Sequence, residues 1–310
     1  MSNKRIVIKF GTSTLTAGTP HISLARLFDL IRQIASLRAE GNRVVLVSSG
    51  AVAAGREVLN YPELPRFIPA KQMLSAVGQP HLMGLYDQFF SMFKTPMAQV
   101  LLTREDLADR NRYLNARNTL HALTDQNIIP IINENDTVAT EEIRVGDNDT
   151  LSAMVATLVE ADLLILLTDQ GGLYTGDPRH DPDARLVPEV QTPEISDELW
   201  SAAGGSISGL GTGGMATKLR AADLARRGGT TVMIARGSDT DILLRLAGGE
   251  NPGTRFTPVV SAIESRKRYL LSGLRASTAF IRVDEGAVRA LKHNGSLLPV
   301  GIKNIEGNFE

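Results

Sequence analysis

The densest cluster of glycines in the chain, Gly209-Leu210-Gly211-Thr212-Gly213-Gly214, runs straight into a helical pattern whose first turn carries Met215, Ala216, Thr217 and Lys218. Glycines let successive backbone N–H groups converge on an anion, and a helix start adds partial positive charge, so such a loop with a lysine beside it suits phosphate. The literal G-x-G-x-x-G at Gly209, Gly211 and Gly214 is weak evidence for a dinucleotide, because no convincing strand precedes it, and Met215 stands where a Walker A lysine is required. A second lysine, Lys9, lies between Ile8 and Phe10 and directly before Gly11-Thr12-Ser13. Charge in an apolar run is costly unless it is paired or reaches out at a strand end. An edge-strand gatekeeper is one explanation; a phosphate lysine beside a second glycine turn is the better one.

Carboxylates and amides form a second group. Gly146-Asp147-Asn148-Asp149-Thr150 introduces a helix expected over Leu151 to Glu160, and Asn148 or Asp149 could serve as its cap. Together with Asn133, Asn135 and Asp136 they are more polar groups than capping needs, which points to a ligand site with capping as a second job. Thr168 and Asp169 end an apolar run, and the segment from Gln170 to Pro178 reads as a long loop suited to cover a nucleotide. The five histidines, at 21, 81, 121, 180 and 293, share no metal-ligand spacing, so no protein-held metal is expected. Arg110, Arg112 and Arg117 read as a solvated helix face.

Short β-branched or leucine-rich runs recur at Arg5 to Phe10, Arg43 to Ser48, Met97 to Leu102, Ile128 to Asn133, Leu163 to Thr168 and Thr231 to Ala235. Amphipathic segments separate them. From Ser23 to Glu40, for example, Leu24, Leu27, Phe28, Ile31 and Ile34 share a face, Ser23 can cap the start and Gly41 the end. This alternation predicts right-handed βαβ units, hence a three-layer αβα sandwich with a mostly parallel central sheet. Ligands of such folds sit at the strand C-terminal ends, where the polar turns are delivered. After Asn251 the alternation breaks down, leaving one strand-like stretch, Thr278 to Val283, and one short helix.

Composition narrows the function. The 310 residues are 43% hydrophobic and 22% charged, and 33 Lys plus Arg against 34 Asp plus Glu leave a net charge of -1. A global field for nucleic acid or anionic lipid is absent, so any charged ligand must be met locally. Zero cysteines exclude disulfide scaffolds, thiolate metal sites and cysteine nucleophiles, and fit a reducing compartment. With no secretory h-region and no apolar run near ~20 residues, a cytoplasmic protein without membrane attachment is expected.

Lys9 to Ser13, Val47 to Gly55, Ile132 to Asp136, Val145 to Asp149, Leu167 to Asp169 and Gly211 to Lys218 occur in an order that resembles the glutamate 5-kinase family of the amino acid kinase superfamily. The resemblance implies an amino acid kinase domain over 1–260, and phosphorylation of the side-chain carboxylate of L-glutamate by ATP with Mg²⁺, the first step towards proline. Carried over by residue, it gives catalytic roles to Lys9 and Lys218, oriented by Asp149. Lys9, Thr168, Asp169, Thr212, Gly213, Gly214, Met215, Ala216, Thr217 and Lys218 would hold ATP. Ser49, Asp136 and Asn148, assisted by Asn133, would hold glutamate, and Mg²⁺ would sit on phosphate oxygens and water. Residues 265–310 resemble the opening part of a PUA domain, a truncated β-rich tail. The resemblance also implies a homo-oligomer, dimer or tetramer, and proline as feedback inhibitor. Aspartate, acetylglutamate, carbamate and uridylate kinases of the same superfamily, a non-catalytic amino-acid sensor, a nucleic-acid-binding protein and a dehydrogenase are the rival readings.

Overall fold

Period-two alternation builds the centre of the fold. Strand β1 (Arg5–Phe10) sends Ile6, Ile8 and Phe10 into one buried cluster and Val7 into another, because neighbouring side chains leave a strand on opposite faces. The computed structural model describes residues 3–64, 67–139, 148–204, 214–260, 280–292 and 296–306. In it β1 lies between β2 (Arg43–Ser48) and β5 (Leu163–Thr168), parallel to both. With β3 (Met97–Leu102), β4 (Ile129–Glu134), β6 (Glu189–Val190), β7 (Thr231–Arg236) and β8 (Thr254–Phe256), they form an 8-stranded sheet in the order β3-β4-β2-β1-β5-β7-β8-β6. The β7–β8 pair is antiparallel and the other pairings are parallel.

Helices cover both faces. The helices are α1 (Thr12–Thr16), α2 (Leu24–Ala39), α3 (Ala51–Val58), α4 (Ile68–Met92), α5 (Arg104–Ala108), α6 (Arg110–Asp125), α7 (Asn148–Leu158), α8 (Asp197–Ala202), α9 (Met215–Arg227) and α10 (Ile242–Ala247). Leu27 and Ile31 of α2, Leu82 and Phe90 of α4 and Ile242 of α10 pack with Ile6, Ile8 and Phe10. Leu120 of α6, Val155 of α7 and Leu219 of α9 pack with Val7, Val45 and Val47 on the opposite side. The predicted αβα sandwich is therefore present.

Several expected details differ. On α2 Ser23 does cap, accepting from Arg26 N at 3.4 Å, but Leu24 and Phe28 are 52% and 38% exposed. The buried stripe is instead Leu27, Leu30, Ile31, Ile34 and Leu37, turned so that Phe28 meets the rings of Phe89 and Phe93 at the margin. Strand β4 is shifted by one residue, and α7 starts at Asn148 rather than Leu151 and ends at Leu158. Strands β6 and β8 were not anticipated, since two or three residues carry no period-two signal.

The chain divides into two compact units, Met1–Ser265 and Arg266–Glu310. In the second, Phe280–Val283 pairs antiparallel with Ile302–Glu306 and the helix Glu285–Lys292 joins them. That second strand was missed; residues 278 and 279 of the expected one lie outside the described residues.

Two glycines set where α4 lies. A Cβ on Gly78 would stand 1.8 Å from the Ala51 carbonyl oxygen and 2.3 Å from Gly55 N, and one on Gly55 would stand 1.9 Å from the Leu74 oxygen. The backbones of α3 and α4 thus touch, which ties α4 to the turn that follows β2. Gly78→Ala should lower the free energy of unfolding by about 3 kcal/mol through overpacking. Gly84→Ala, on the same helix with nothing within 4 Å, should be neutral or gain about 0.5–1 kcal/mol from helix propensity. Denaturant unfolding of the two variants checks the contrast.

Candidate active site

Lys9 follows Val7 by two residues and so leaves the sheet on the same face, towards α7 and α9. Because β1 is a central strand, the edge-gatekeeper explanation falls. Lys9 Nζ lies 2.6 Å from Asp149 Oδ1, and Lys218 Nζ lies 3.2 Å from Asp149 Oδ2. The Thr217 hydroxyl donates to the same Oδ2 at 2.7 Å. All four side chains are buried. The sequence places Lys218 and Thr217 in the first turn of α9 and Asp149 in the first turn of α7, so two helix starts and one strand end converge.

The electrostatics follow from that convergence. Burial alone would push the Asp149 carboxyl up, but the charges of Lys9 and Lys218 and the hydrogen bonds of Lys9 and Thr217 outweigh it and hold Asp149 well below the usual carboxylate range. It is an anion at any working pH. Counted over the three groups, two cations meet one anion, which leaves a net positive charge for an incoming anion at the C-terminal edge of the sheet.

Beside the lysines a cavity of about 710 Å³ is lined by residues that include Ser13, Thr168, Asp169, Tyr174, Met215 and Lys218. Thr168 donates to Asp169 at 3.0 Å, and the loop after Asp169 closes against Leu186 through the Tyr174 bridge. Gly214 precedes α9 with φ of 97°, a conformation that disfavours any side chain. Thr212 and Gly213 lie outside the described residues, as do Gly146 and Asp147. Among the described residues no three His, Asp or Glu side chains gather as a metal cage.

On the other side of Asp149 runs a chain of amides. Asn148 Nδ2 donates to the Ser48 oxygen at 2.9 Å, to Asn133 Oδ1 at 2.8 Å and to Ser49 Oγ at 3.1 Å. Asn133 Nδ2 donates onward to Gln79 Oε1 at 2.8 Å. Asp136 Oδ2 accepts from the Ser75 hydroxyl at 2.5 Å, and burial raises the Asp136 carboxyl above its usual value despite that bond. In this group Gln79 Nε2, Asp136 Oδ1 and Asn148 Oδ1 are buried and have no partner among the described residues. Buried polar atoms are normally satisfied, so this group marks room for a ligand with both donors and acceptors.

The capping expectation for Asn148 and Asp149 is corrected here. Both occupy helical positions, and their side chains turn inward to other elements instead of back onto the α7 backbone. Ser75 and Gln79 were missed. They lie i and i+4 on α4, a helix otherwise apolar enough to read as core, and their only sequence signal is that pair of polar residues on one face beside Gly78.

Lysines on a buried carboxylate at the strand ends of such a sandwich suit a phosphotransferase of the amino acid kinase class. The chain belongs to the amino acid kinase family, whose model matches residues 4–236, and its relatives give the branch. It is 54% identical over 309 residues to the glutamate 5-kinase of Photorhabdus laumondii, covering 99% of this chain and 83% of that protein. It is 53% identical over 306 residues to the glutamate 5-kinase of Herpetosiphon aurantiacus, covering 98% and 82%. The aspartate kinase of Synechocystis shares the fold at a TM-score of 0.52 and 19% identity, over 83% of this chain and 41% of that one.

The depressed carboxyl of Asp149 gives a pH test. A folded-state pKa below the unfolded value adds stability that is whole above about 3.9 and is lost as pH falls through the folded value. Asp149→Asn should cost about 3–5 kcal/mol at pH 7, since it leaves two buried ammonium groups without their anion. Unfolding measured at pH 7 and again below pH 4 should show the gap between variant and wild type closing in acid.

Proposed function

We propose that the protein transfers the γ-phosphoryl group of ATP to the side-chain carboxylate of L-glutamate, giving L-glutamyl 5-phosphate and ADP as the first step of proline biosynthesis. The observation that carries the site assignment is the seating of Lys9 and Lys218 on one buried Asp149, beside a cavity large enough for a nucleotide. The identity of 52–54% to glutamate 5-kinases carries the choice of substrate.

The chemistry asks little of a protein nucleophile. A side-chain carboxylate with a pKa of about 4.3 is already ionised at neutral pH, so no general base is required. One of its oxygens forms the new bond to phosphorus as the bond from phosphorus to the β,γ-bridging oxygen breaks, and ADP leaves with that electron pair. Two anions must approach, and charge must be met on the transferring group. Lys9 and Lys218 do this, Asp149 holds both lysines, and the Thr217 hydroxyl holds Asp149. Thr168, Asp169 and the segment from Thr212 to Lys218 hold ATP in this reading; Ser49, Asp136 and Asn148 hold glutamate, with the unpartnered Asp136 Oδ1 suited to the α-ammonium group.

Among the described residues Mg²⁺ fits as an ion carried by the nucleotide. Both oxygens of Asp149 are taken by lysines and Thr217, so that carboxylate is no metal ligand; phosphate oxygens would hold the ion and exposed Asp169 would take part through water. When bound, Mg²⁺ supplies charge neutralisation on the phosphates. No helix among the described residues is long and apolar enough to cross a membrane, and the reading places the enzyme in the cytoplasm. A homo-oligomer, inhibition by proline at or near the glutamate site and a PUA-like second unit belong to the same proposal, supported by the family resemblance.

With ATP, Mg²⁺ and L-glutamate, hydroxylamine should trap an acyl phosphate as hydroxamate in step with ADP release, and L-aspartate should give little. Lys9→Ala and Lys218→Ala should each lower kcat by about 10²–10³-fold with the KM for glutamate little changed. Absence of glutamate-dependent hydroxamate would contradict the proposal.

A further inference from the structure

We infer that Gln79 is a substrate-binding residue, donating from Nε2 to the α-carboxylate of the amino acid and so selecting for it; the assignment rests on the kinase reading above. The first step is to decide which end of each amide faces where. Two backbone groups decide it. The Glu134 N–H can only donate, and it lies 2.9 Å from one end of the Asn133 amide, which must be Oδ1. The Ser48 carbonyl can only accept, and it lies 2.9 Å from one end of the Asn148 amide, which must be Nδ2. These anchors then agree with each other, because Asn148 Nδ2 also donates to Asn133 Oδ1. Asn133 therefore presents Nδ2 to Gln79, Gln79 must meet it with Oε1, and the end of Gln79 left over is the donor Nε2.

Gln79 is 8% exposed, and Nε2 has no partner among the described residues. A buried amide donor left unmet is costly, and the fold uses only the other end of this amide, Oε1, which accepts from Asn133. The position itself is held rigidly, one residue after the Gly78 backbone contact with α3. One turn earlier on the same helix face, Ser75 holds Asp136 by Oδ2 and leaves Oδ1 unpartnered. One helix face thus brings together an orphaned donor and an orphaned carboxylate acceptor, the pattern that an α-carboxylate and an α-ammonium group on one carbon would satisfy.

The two ends of the substrate are told apart by α7. Asp149 faces the lysines, while Asn148, its neighbour, leads away through Asn133 to Gln79. The reacting carboxylate belongs at the lysine end, where the phosphoryl group is met. The group read by Gln79 is then the other carboxylate.

Gln79→Glu separates this from a purely structural role, because it retains the oxygen that accepts from Asn133 and turns only the leftover end from a donor into an anionic acceptor. L-isoglutamine is the probe: it retains the side-chain carboxylate and carries an amide in place of the α-carboxylate. Wild type should prefer L-glutamate. In Gln79→Glu the ratio of kcat/KM for glutamate over isoglutamine should fall by at least 100-fold, with the KM for ATP unchanged. Should that variant fail to fold, Gln79→Met should show a fall of at least threefold in the same ratio. An unchanged ratio, with both substrates losing equally or not at all, overturns the assignment while leaving the kinase reading intact. A wild-type enzyme that forms no hydroxamate from glutamate overturns the kinase reading itself, and Gln79 with it.

Discussion

Two buried ammonium groups held by one carboxylate are the constraint around which the rest of the first unit is arranged. Desolvating Lys9, Lys218 and Asp149 costs several kcal/mol per ion, and attraction offsets it only if the three meet closely with further hydrogen bonds in place. That demands a central strand ending at Lys9, a helix beginning near Asp149 and another beginning near Lys218, all on one side of the sheet. Parallel strands with helical crossovers satisfy the demand, since they deliver strand ends and helix starts to the same edge. The remaining positive charge is not a defect of the pairing. It is tolerable because it lies at the mouth of a cavity, where an anionic group can take it up.

The same edge is divided in two by consecutive residues of α7. Neighbouring helix positions point about 100° apart, so Asp149 serves the lysines while Asn148 opens a run of amides towards α4. On the proposed reading charge neutralisation lies on one side and recognition of an amino acid on the other; among the described residues the polar atoms are partnered on the first side and partly unpartnered on the second. A rigid frame makes this division useful, because positioning is what phosphoryl transfer between two anions needs most. The glycine contact between α3 and α4 is part of that frame.

Much of this was legible beforehand. The β1, β2 and β5 runs were readable because a strand buried on both faces is apolar over several residues. The edge strand β3 was readable from its apolar run although only Leu102 is buried, and the polar turns that follow marked the functional edge. Lys9, Asp149 and Lys218 stood out because their types or settings conflicted with a bland role. What escaped were features that carry no local signal. Ser75 and Gln79 sit in a helix whose other residues look like core, and only tertiary placement opposite Asp136 and Asn133 gives them meaning. The inward turn of Asn148 and Asp149 was hidden for a related reason: a helix start looks the same in sequence whether its polar residues cap the backbone or cross to another element. The exposed Leu24 and Phe28 show a further limit, since a wide apolar stripe does not say which of its margins faces the core.

The most direct test of the central arrangement compares a mimic of the transferring phosphoryl group with the nucleotide alone. ADP, Mg²⁺, L-glutamate and aluminium fluoride should form a complex tighter than that of ADP by itself, because the lysines meet charge that develops at the transferred group. In Lys9→Ala and Lys218→Ala, the affinity for that complex should fall by about 10²-fold while the affinity for ADP changes little. Equal losses for ADP and for the mimic, or no loss for either, would contradict the role assigned to the two lysines.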